Sequence, residues 1–294
     1  PFGTDILFVA DGPSAPKGLV VGVEICEDIW VQVPPSMKQV GAGATVCCNL
    51  SASNFTIGKA DLRRLLARSA SDRGKCAYLY VAAGPGESST DLAFDADAFV
   101  CENGNLVAES RRFARESQIV SVDVDLEQLL HERRQTGTFG DNAVENVFQP
   151  RRIAFSAGEA RGFKREIPAH PFLPRDQETL ARRLWEIFEI QTNALATRMA
   201  ALSSSTHKPK LVLGVSGGLD STQAALVCAQ ALDMMGQKRS DLVCVTMPGF
   251  GTSDTTQSNA VALAQHLGGE LRTISIAQTA HLVLKASGHP ASKE

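Results

Sequence analysis

A short apolar run followed at once by a glycine-rich turn most constrains how this chain folds. Residues 211–215 are apolar around one glycine, and Ser216-Gly217-Gly218-Leu219-Asp220-Ser221 follows directly. The run predicts a buried strand, and the paired glycines predict a tight turn into a helix over 221–232. Strands 241–246 and 270–275 alternate with a helix over 255–267, so this part of the chain should form a parallel sheet with right-handed crossovers.

The glycine turn also has the composition of an anion-binding loop. Turn N–H groups, the positive end of the helix dipole and the hydroxyls of Ser216 and Ser221 could all meet one phosphate. The turn lacks the Gly-Lys-Ser/Thr of a Walker A loop, and its glycine spacing does not fit G-x-G-x-x-G. An ordinary glycine-rich turn between strand and helix is the alternative.

Bulk composition limits the class of protein. The chain has 294 residues, enough for two domains, and its 44% hydrophobic and 21% charged residues are globular values. The charge balance of 29 basic and 32 acidic side chains gives no electrostatic reason to expect nucleic acid or a membrane surface as a partner. Seven cysteines without C-x-x-C or zinc spacing indicate reduced thiols, so we expect a cytoplasmic protein.

The chain is predicted to divide into three parts: a domain over 1–134, a linker over 135–174 and a second domain over 175–294. The first should contain strands at 19–25, 44–50, 76–83, 98–102 and 119–124, with a hairpin at Asn103-Gly104. A helix over 61–73 should bury Leu62, Leu65, Leu66 and Ser69 and expose its arginines. A second helix is expected over 126–134, and a long one over 175–202 with Asp176 as N-cap.

Cys26 is a candidate nucleophile. The buried strand that ends at Ile25 is followed directly by Cys26-Glu27-Asp28, which would hold the thiol rigidly at a strand end beside acidic residues. For an isolated cysteine, a buried structural role is the stronger alternative.

Three segments carry a family resemblance: Glu24-Ile25-Cys26-Glu27-Asp28, Asn49-Leu50-Ser51-Ala52-Ser53 and Gly58-Lys59. Together they resemble the amidase domain of the nitrilase superfamily, while Ser216–Ser221 resembles the loop of the ATP pyrophosphatases. In this order the two are similar to the glutamine-dependent NAD synthetases. The resemblance implies an α/β protein, namely the C-terminal part of a nitrilase-like α-β-β-α sandwich followed by a Rossmann-like, doubly wound parallel sheet.

The resemblance also implies roles for individual residues. Cys26 would attack the glutamine side-chain amide, with Glu27, Ser53 and Lys59 binding the rest of that substrate. Turn chemistry for Ser53 and a solvated loop charge for Lys59 are the alternatives. ATP would be bound by the turn and the next strand end, at Ser216, Gly217, Gly218, Asp220, Ser221 and Met247. Asp220 would hold Mg²⁺ rather than act only on the helix dipole.

The implied reaction joins glutamine hydrolysis to the ATP-dependent amidation of deamido-NAD, in a homo-oligomer. The alternatives are another ATP-pyrophosphatase amidotransferase, or a nucleotide-binding fragment without turnover. The family's base and lysine lie upstream of the cysteine strand, and only Asp5, Asp11, Lys17 and Glu24 precede Cys26 here. Because Pro1 is not Met and the second domain ends after three strands, we expect both ends to be cuts through larger domains, and the chain alone to lack complete active sites.

Overall fold

The computed structural model describes residues 3–87, 92–158, 162–165, 167, 169–170, 172–174 and 176–290. The chain divides into two compact units, Pro1–Ile167 and Pro168–Glu294. Some residues used in the predictions lie outside the described residues: Pro1 and 291–294 at the ends, Pro168 and Pro171 in the predicted linker, and Arg175 at the predicted helix start.

The first unit is built on a seven-stranded mixed sheet with the order β6-β5-β4-β3-β2-β1-β7. Its strands are β1 (Ile6–Asp11), β2 (Val20–Ile25), β3 (Val46–Ser51), β4 (Ala77–Ala82), β5 (Ala98–Glu102), β6 (Asn105–Glu109) and β7 (Arg151–Ser156). Strands β2, β3 and β4 are parallel to one another. Their carboxyl ends therefore lie at one edge of the sheet, and the chain leaves β2 there at Cys26.

Helices cover one face of this sheet. They are α1 (Pro35–Gly41), α2 (Lys59–Gly74), α3 (Leu126–Gln135) and α4 (Gly137–Glu145), with a 3₁₀ helix over Cys26–Trp30. Tyr78, Tyr80 and Phe99 point into the core on this side and are at most 1% exposed. On the other face Ile25, Leu50 and Val81, which lie side by side in register, are about half exposed or more.

The predicted hairpin between β5 and β6 is confirmed. Asn103 and Gly104 both have positive φ, at 47° and 80°, as a two-residue turn that matches the strand twist requires.

Helix α2 lies where it was predicted, but the predicted buried face is only partly correct, since Leu66 packs against the core and two of the other predicted leucines do not. Arg63 is fully buried, whereas Leu62 and Leu65 are 48% and 62% exposed. Small residues let the helix approach the sheet closely, since Ala60, Ala67 and Ala70 are all buried. The arginine side chain enters the interior because Asp95 and Asp97, both fully buried, pair with it there.

Two further expectations for the first unit need correction. The predicted linker over 135–174 contributes α4 and β7, and β7 pairs in parallel with β1 along its whole length. Strand β7 has only three apolar residues among polar ones, and this pattern is too weak to predict an edge strand from the sequence. Residues 119–124 form no strand, although their sequence alternates; Ile119 is 95% exposed, and the Asp123 carboxylate instead accepts backbone N–H groups of Lys164 and Arg165.

The second unit contains the predicted parallel sheet, and its strand order is β10-β9-β8. Its elements are α5 (Gln177–Leu202), β8 (Leu211–Gly214), α6 (Leu219–Met234), a 3₁₀ helix (Arg239–Asp241), β9 (Leu242–Thr246), α7 (Asp254–Leu267), β10 (Glu270–Thr273) and α8 (Ala277–Ala286). Asp176 caps α5 by accepting from the Thr179 N–H at 2.7 Å. The α/β fold class is thus confirmed. Among the described residues, no helix is both long and apolar enough to cross a membrane.

Candidate functional site

Cys26 occupies a strained position at the end of β2. Its φ is 54°, in the left-handed region that costs a residue with a side chain about 1–2 kcal/mol. The residue opens the 3₁₀ helix, and the Asp28 carboxylate accepts the Ile25 N–H at 2.8 Å. This bond turns the chain sharply out of the sheet and leaves the half-buried Cys26 at the strand edge.

A buried carboxylate lies directly beneath this turn. Glu24 is 2% exposed and accepts from the Ser36 N–H at 2.8 Å, from Asn49 Nδ2 at 3.3 Å and from the Tyr78 hydroxyl. Burial raises the pKa of Tyr78 far above its usual range, and the Glu24 charge and hydrogen bond raise it further. Three donors thus hold the Glu24 carboxylate in place, and among the described residues no hydrogen bond joins it to the Cys26 thiol.

Asn49 links this buried group to Cys26. Its Nδ2 also lies 3.4 Å from the Cys26 carbonyl oxygen, so one amide contacts both Glu24 and the turn. Sequence reasoning included Asn49 in a family motif without giving it a role, and it singled out neither Glu24 nor Tyr78 as a contact of the turn. Only the register of β2, β3 and β4 brings these residues together.

The structure brings Ser53 and Lys59 together. Lys59 Nζ donates to Ser53 Oγ at 2.6 Å and to the Asn54 carbonyl at 2.8 Å. The same ammonium lies 5.7 Å from the centre of the Trp30 ring, at the far end of the 3₁₀ helix that Cys26 opens. Glu27 lies in that helix and is exposed. Four predicted residues and Trp30 therefore belong to one edge of the sheet.

An ion network supports the loop that carries Ser53. Phe55 N–H donates to the Ala93 carbonyl at 2.7 Å, and the Phe55 ring lies 4.7 Å from the Arg112 guanidinium. Arg112 in turn pairs with Asp95 at 3.1 Å. Burial disfavours the charged form of Asp95, but bonds from Arg63 and Arg112 outweigh it and lower its pKa. The loop thus rests on the buried charges that hold α2.

The glycine turn of the second unit is fixed by close packing. Gly217 has φ 80°, and a Cβ there would lie 2.1 Å from the Thr256 carbonyl oxygen in the first turn of α7. Gly218 has φ −89°, and its nearest contact would be Ser216 Oγ at 3.4 Å. Position 217 therefore requires glycine for steric reasons, whereas position 218 could accommodate a residue with a side chain.

The hydroxyls of this turn hold its shape. Ser221 Oγ donates to the Gly218 carbonyl at 3.0 Å and lies 3.2 Å from Ser216 Oγ, which accepts the Gly218 N–H at 3.3 Å. The first N–H groups of α6, from Leu219 to Ser221, have no acceptor within the helix and face the turn. This arrangement suits an anion at the amino end of α6.

Asp220 and Met247 flank the turn. Asp220 lies exposed in the first turn of α6, with no hydrogen-bond or ion-pair partner among the described residues. Met247, which follows β9, is half exposed, and its Cε would lie 3.8 Å from a Cβ at Gly214, the last residue of β8. The described residues contain no cluster of three metal-ligating side chains. Mg²⁺ combines few protein ligands with phosphate oxygens, so a single carboxylate beside a turn that suits an anion matches its coordination.

The family model and the relatives that match this chain all point to NAD synthetases. A family model described as NAD synthase matches residues 192–293. A glutamine-dependent NAD(+) synthetase of Mycobacterium leprae is 48% identical over 100% of this chain and 43% of its own length. One of Thermotoga maritima is 30% identical over 96% of this chain and 45% of its own.

A solved structure, the glutamine-dependent NAD+ synthetase of Acinetobacter baumannii in complex with adenosine diphosphate, is 20% identical with a TM-score of 0.33. The match covers 92% of this chain and 41% of that one. The chain thus spans less than half the length of the curated relatives it matches. The similarity to those relatives runs from one end of this chain to the other, so the chain is related along its whole length to part of the glutamine-dependent NAD(+) synthetases.

Proposed function

We propose that the whole protein makes NAD from deamido-NAD, with glutamine as nitrogen donor and ATP as activator. One observation carries the proposal. A chain that is similar along its whole length to part of these synthetases contains both a strained cysteine after β2 and a glycine turn after β8 whose geometry suits an anion. The first would release ammonia and the second would activate the acceptor carboxylate.

In the amidase half, Cys26 would be the nucleophile. Its thiolate would attack the glutamine side-chain amide carbon, form a thioester and release ammonia, and water would then free glutamate. Lys59 would pair with the substrate α-carboxylate, because its ammonium is held at the strand edge by Ser53 and Asn54. Glu27, which is exposed nearby, would bind the α-amino group, and Trp30 would form a wall of the pocket.

In the ligase half, the turn Ser216–Ser221 would bind the ATP phosphates. A deamido-NAD carboxylate would attack the α-phosphate and expel pyrophosphate, and ammonia would then displace AMP. Backbone N–H groups at the start of α6 would stabilise the charge on the departing pyrophosphate. Asp220 would hold Mg²⁺, which supplies further neutralisation of that charge. Met247 would border the adenine.

The division of labour is tested by substitution in the whole protein. Cys26→Ala should abolish synthesis from glutamine and leave synthesis from ammonium salts unchanged, while Asp220→Asn should lower both. Cys228→Ala, which removes a half-buried thiol in α6, is the matched control and should change neither. Loss of both activities in a folded Cys26→Ala protein would contradict the proposal.

A binding measurement on the whole protein tests the ligase site separately from the amidase site. Calorimetric titration should show ATP binding that strengthens when Mg²⁺ is added, and Asp220→Asn should remove only the metal-dependent gain. Equal ATP affinity with and without Mg²⁺ in the unsubstituted protein would exclude Asp220 as a metal ligand.

We also propose a homo-oligomer in the cytoplasm. Ammonia transfer between active sites favours an assembly that shields it from solvent, and all seven cysteines are free thiols, as suits a reducing compartment. Sedimentation velocity of the whole protein tests the first point, since a single monomeric species at micromolar concentration would contradict it.

A further inference from the structure

The turn that presents Cys26 depends on a contact from a neighbouring strand. Cys26 is a non-glycine residue at φ 54°, and such a conformation persists only where surrounding groups hold it. Local bonding supplies two constraints. The Asp28 carboxylate accepts the Ile25 N–H, and the 3₁₀ helix that Cys26 opens directs the Cys26 carbonyl toward the N–H three residues on. Both constraints lie within the turn and do not tie it to the neighbouring strand.

A further contact reaches the carbonyl from across the sheet. Asn49 Nδ2 lies 3.4 Å from the Cys26 oxygen and 3.3 Å from Glu24 Oε1, and the Asn49 side chain is completely buried. Glu24 cannot move away to accommodate another arrangement, because the Ser36 N–H and the Tyr78 hydroxyl also donate to it. The Asn49 amide is therefore set in place by a fixed carboxylate on one side and faces the Cys26 turn on the other.

We propose that Asn49 is a positioning residue for Cys26. It couples the turn to the buried Glu24–Tyr78 pair and so keeps the thiol at one place on the strand edge. The chemical consequence, glutamine attack from a fixed thiol, rests on the proposed function, whereas the conformational consequence does not.

Ser51 provides a matched control. It follows Asn49 by two residues in β3 and so faces the same side of the sheet, and it is 6% exposed. Its hydroxyl has no hydrogen-bond partner among the described residues. Ser51→Ala thus removes a buried polar group from the same strand and face without touching the Cys26 turn.

The test compares Asn49→Leu with Ser51→Ala in the chain labelled with ¹³C and ¹⁵N at cysteine. The Cys26 resonances, assigned by their loss in Cys26→Ser, should leave the left-handed range of Cα and Cβ shifts in Asn49→Leu and stay unchanged in Ser51→Ala. Unchanged Cys26 shifts in folded Asn49→Leu, or equal changes in both variants, would overturn the inference. If Asn49→Leu does not fold, Asn49→Ser removes the same donor with a smaller side chain and is judged in the same way.

A second readout separates this inference from the proposed function. In the whole protein, Cys26 is alkylated with a chloroketone analogue of glutamine and with iodoacetamide, and both rates are followed by mass spectrometry of its peptide. The ratio of the analogue rate to the iodoacetamide rate should fall about 10- to 100-fold in Asn49→Leu, since a displacement near 1 Å costs about 100-fold. If the unsubstituted whole protein shows no preference for the analogue, its glutamine chemistry is contradicted, and the resonances alone decide the role of Asn49.

Discussion

Substitution of the two adjacent glycines of the turn Ser216–Ser221 by alanine should have a large effect at Gly217 and almost none at Gly218. In Gly217→Ala the new Cβ would begin 2.1 Å from the Thr256 carbonyl oxygen, so the turn and α7 must separate by about 0.9 Å to reach 3.0 Å. Left-handed strain adds about 1–2 kcal/mol, which should appear as a lower free energy of unfolding of the second unit. In Gly218→Ala the backbone is already extended and the nearest atom is a movable hydroxyl, so the change should stay within about 0.5 kcal/mol.

The effect on nucleotide affinity follows from the same displacement. Moving the turn withdraws at least one N–H group from a charged phosphate, and such a bond contributes about 1.5–3 kcal/mol. The dissociation constant for MgATP should therefore rise about 10- to 100-fold in Gly217→Ala and less than about threefold in Gly218→Ala. Titration calorimetry gives the affinities, and urea unfolding followed by Trp185 fluorescence in a Trp30→Phe background gives the stabilities. The reasoning is refuted if the two variants behave alike in both measurements.

Three further predictions concern buried charge and a helix end. Arg63→Met should lower the free energy of unfolding by about 3–5 kcal/mol, because two buried carboxylates lose a fully buried cation and keep, among the described residues, only Arg112 and Arg64 as partners. Arg73→Met, on the exposed face of α2, should cost under about 0.5 kcal/mol in the same urea titration. The lowered pKa of Asp95 stabilises the fold above its ordinary value of 3.8, and this contribution is lost as the pH falls through the folded-state pKa. Urea midpoints should accordingly fall more steeply with acid in the unsubstituted chain than in Asp95→Asn, and parallel slopes would contradict this. Asp176→Ala should cost about 1 kcal/mol through loss of the α5 cap, with no such loss in Asp241→Ala, whose carboxylate accepts no capping bond in the described structure.

The strands and turns that position the site were predictable because each has a strong local cause. Paired glycines after an apolar run, and Asn-Gly between two β-rich runs, leave the backbone few alternatives. Both were found where the sequence placed them, at Gly217-Gly218 and Asn103-Gly104. The segments that bring Cys26, Ser53 and Lys59 to one sheet edge follow the same logic of strand ends in a parallel sheet.

The sequence did not predict which side chains of the helices are buried, because this depends on partners that lie far away along the chain. Periodicity places leucines inside a helix and arginines outside, yet Arg63 is buried because two aspartates some thirty residues later neutralise it. The same limit applies to α5, where Leu184 and Ile187 are more than half exposed and the smaller Thr192 and Ala196 are buried. The hydrophobic pattern of a sequence indicates which side chains are costly to expose. It does not indicate which charged side chains will find an oppositely charged partner in the interior.

The packing of Gly217 against α7 has a consequence for how the nucleotide site behaves as a whole. Ser253 ends the loop after β9 and caps α7 by accepting the Thr256 N–H at 3.2 Å, while the Thr256 carbonyl lies against the turn after β8. A single helical turn therefore supports both the segment that would meet adenine and the segment that would meet phosphate. Damage to the Ser253 cap should loosen both at once, so recognition of the base and of the phosphates would be lost together rather than one after the other.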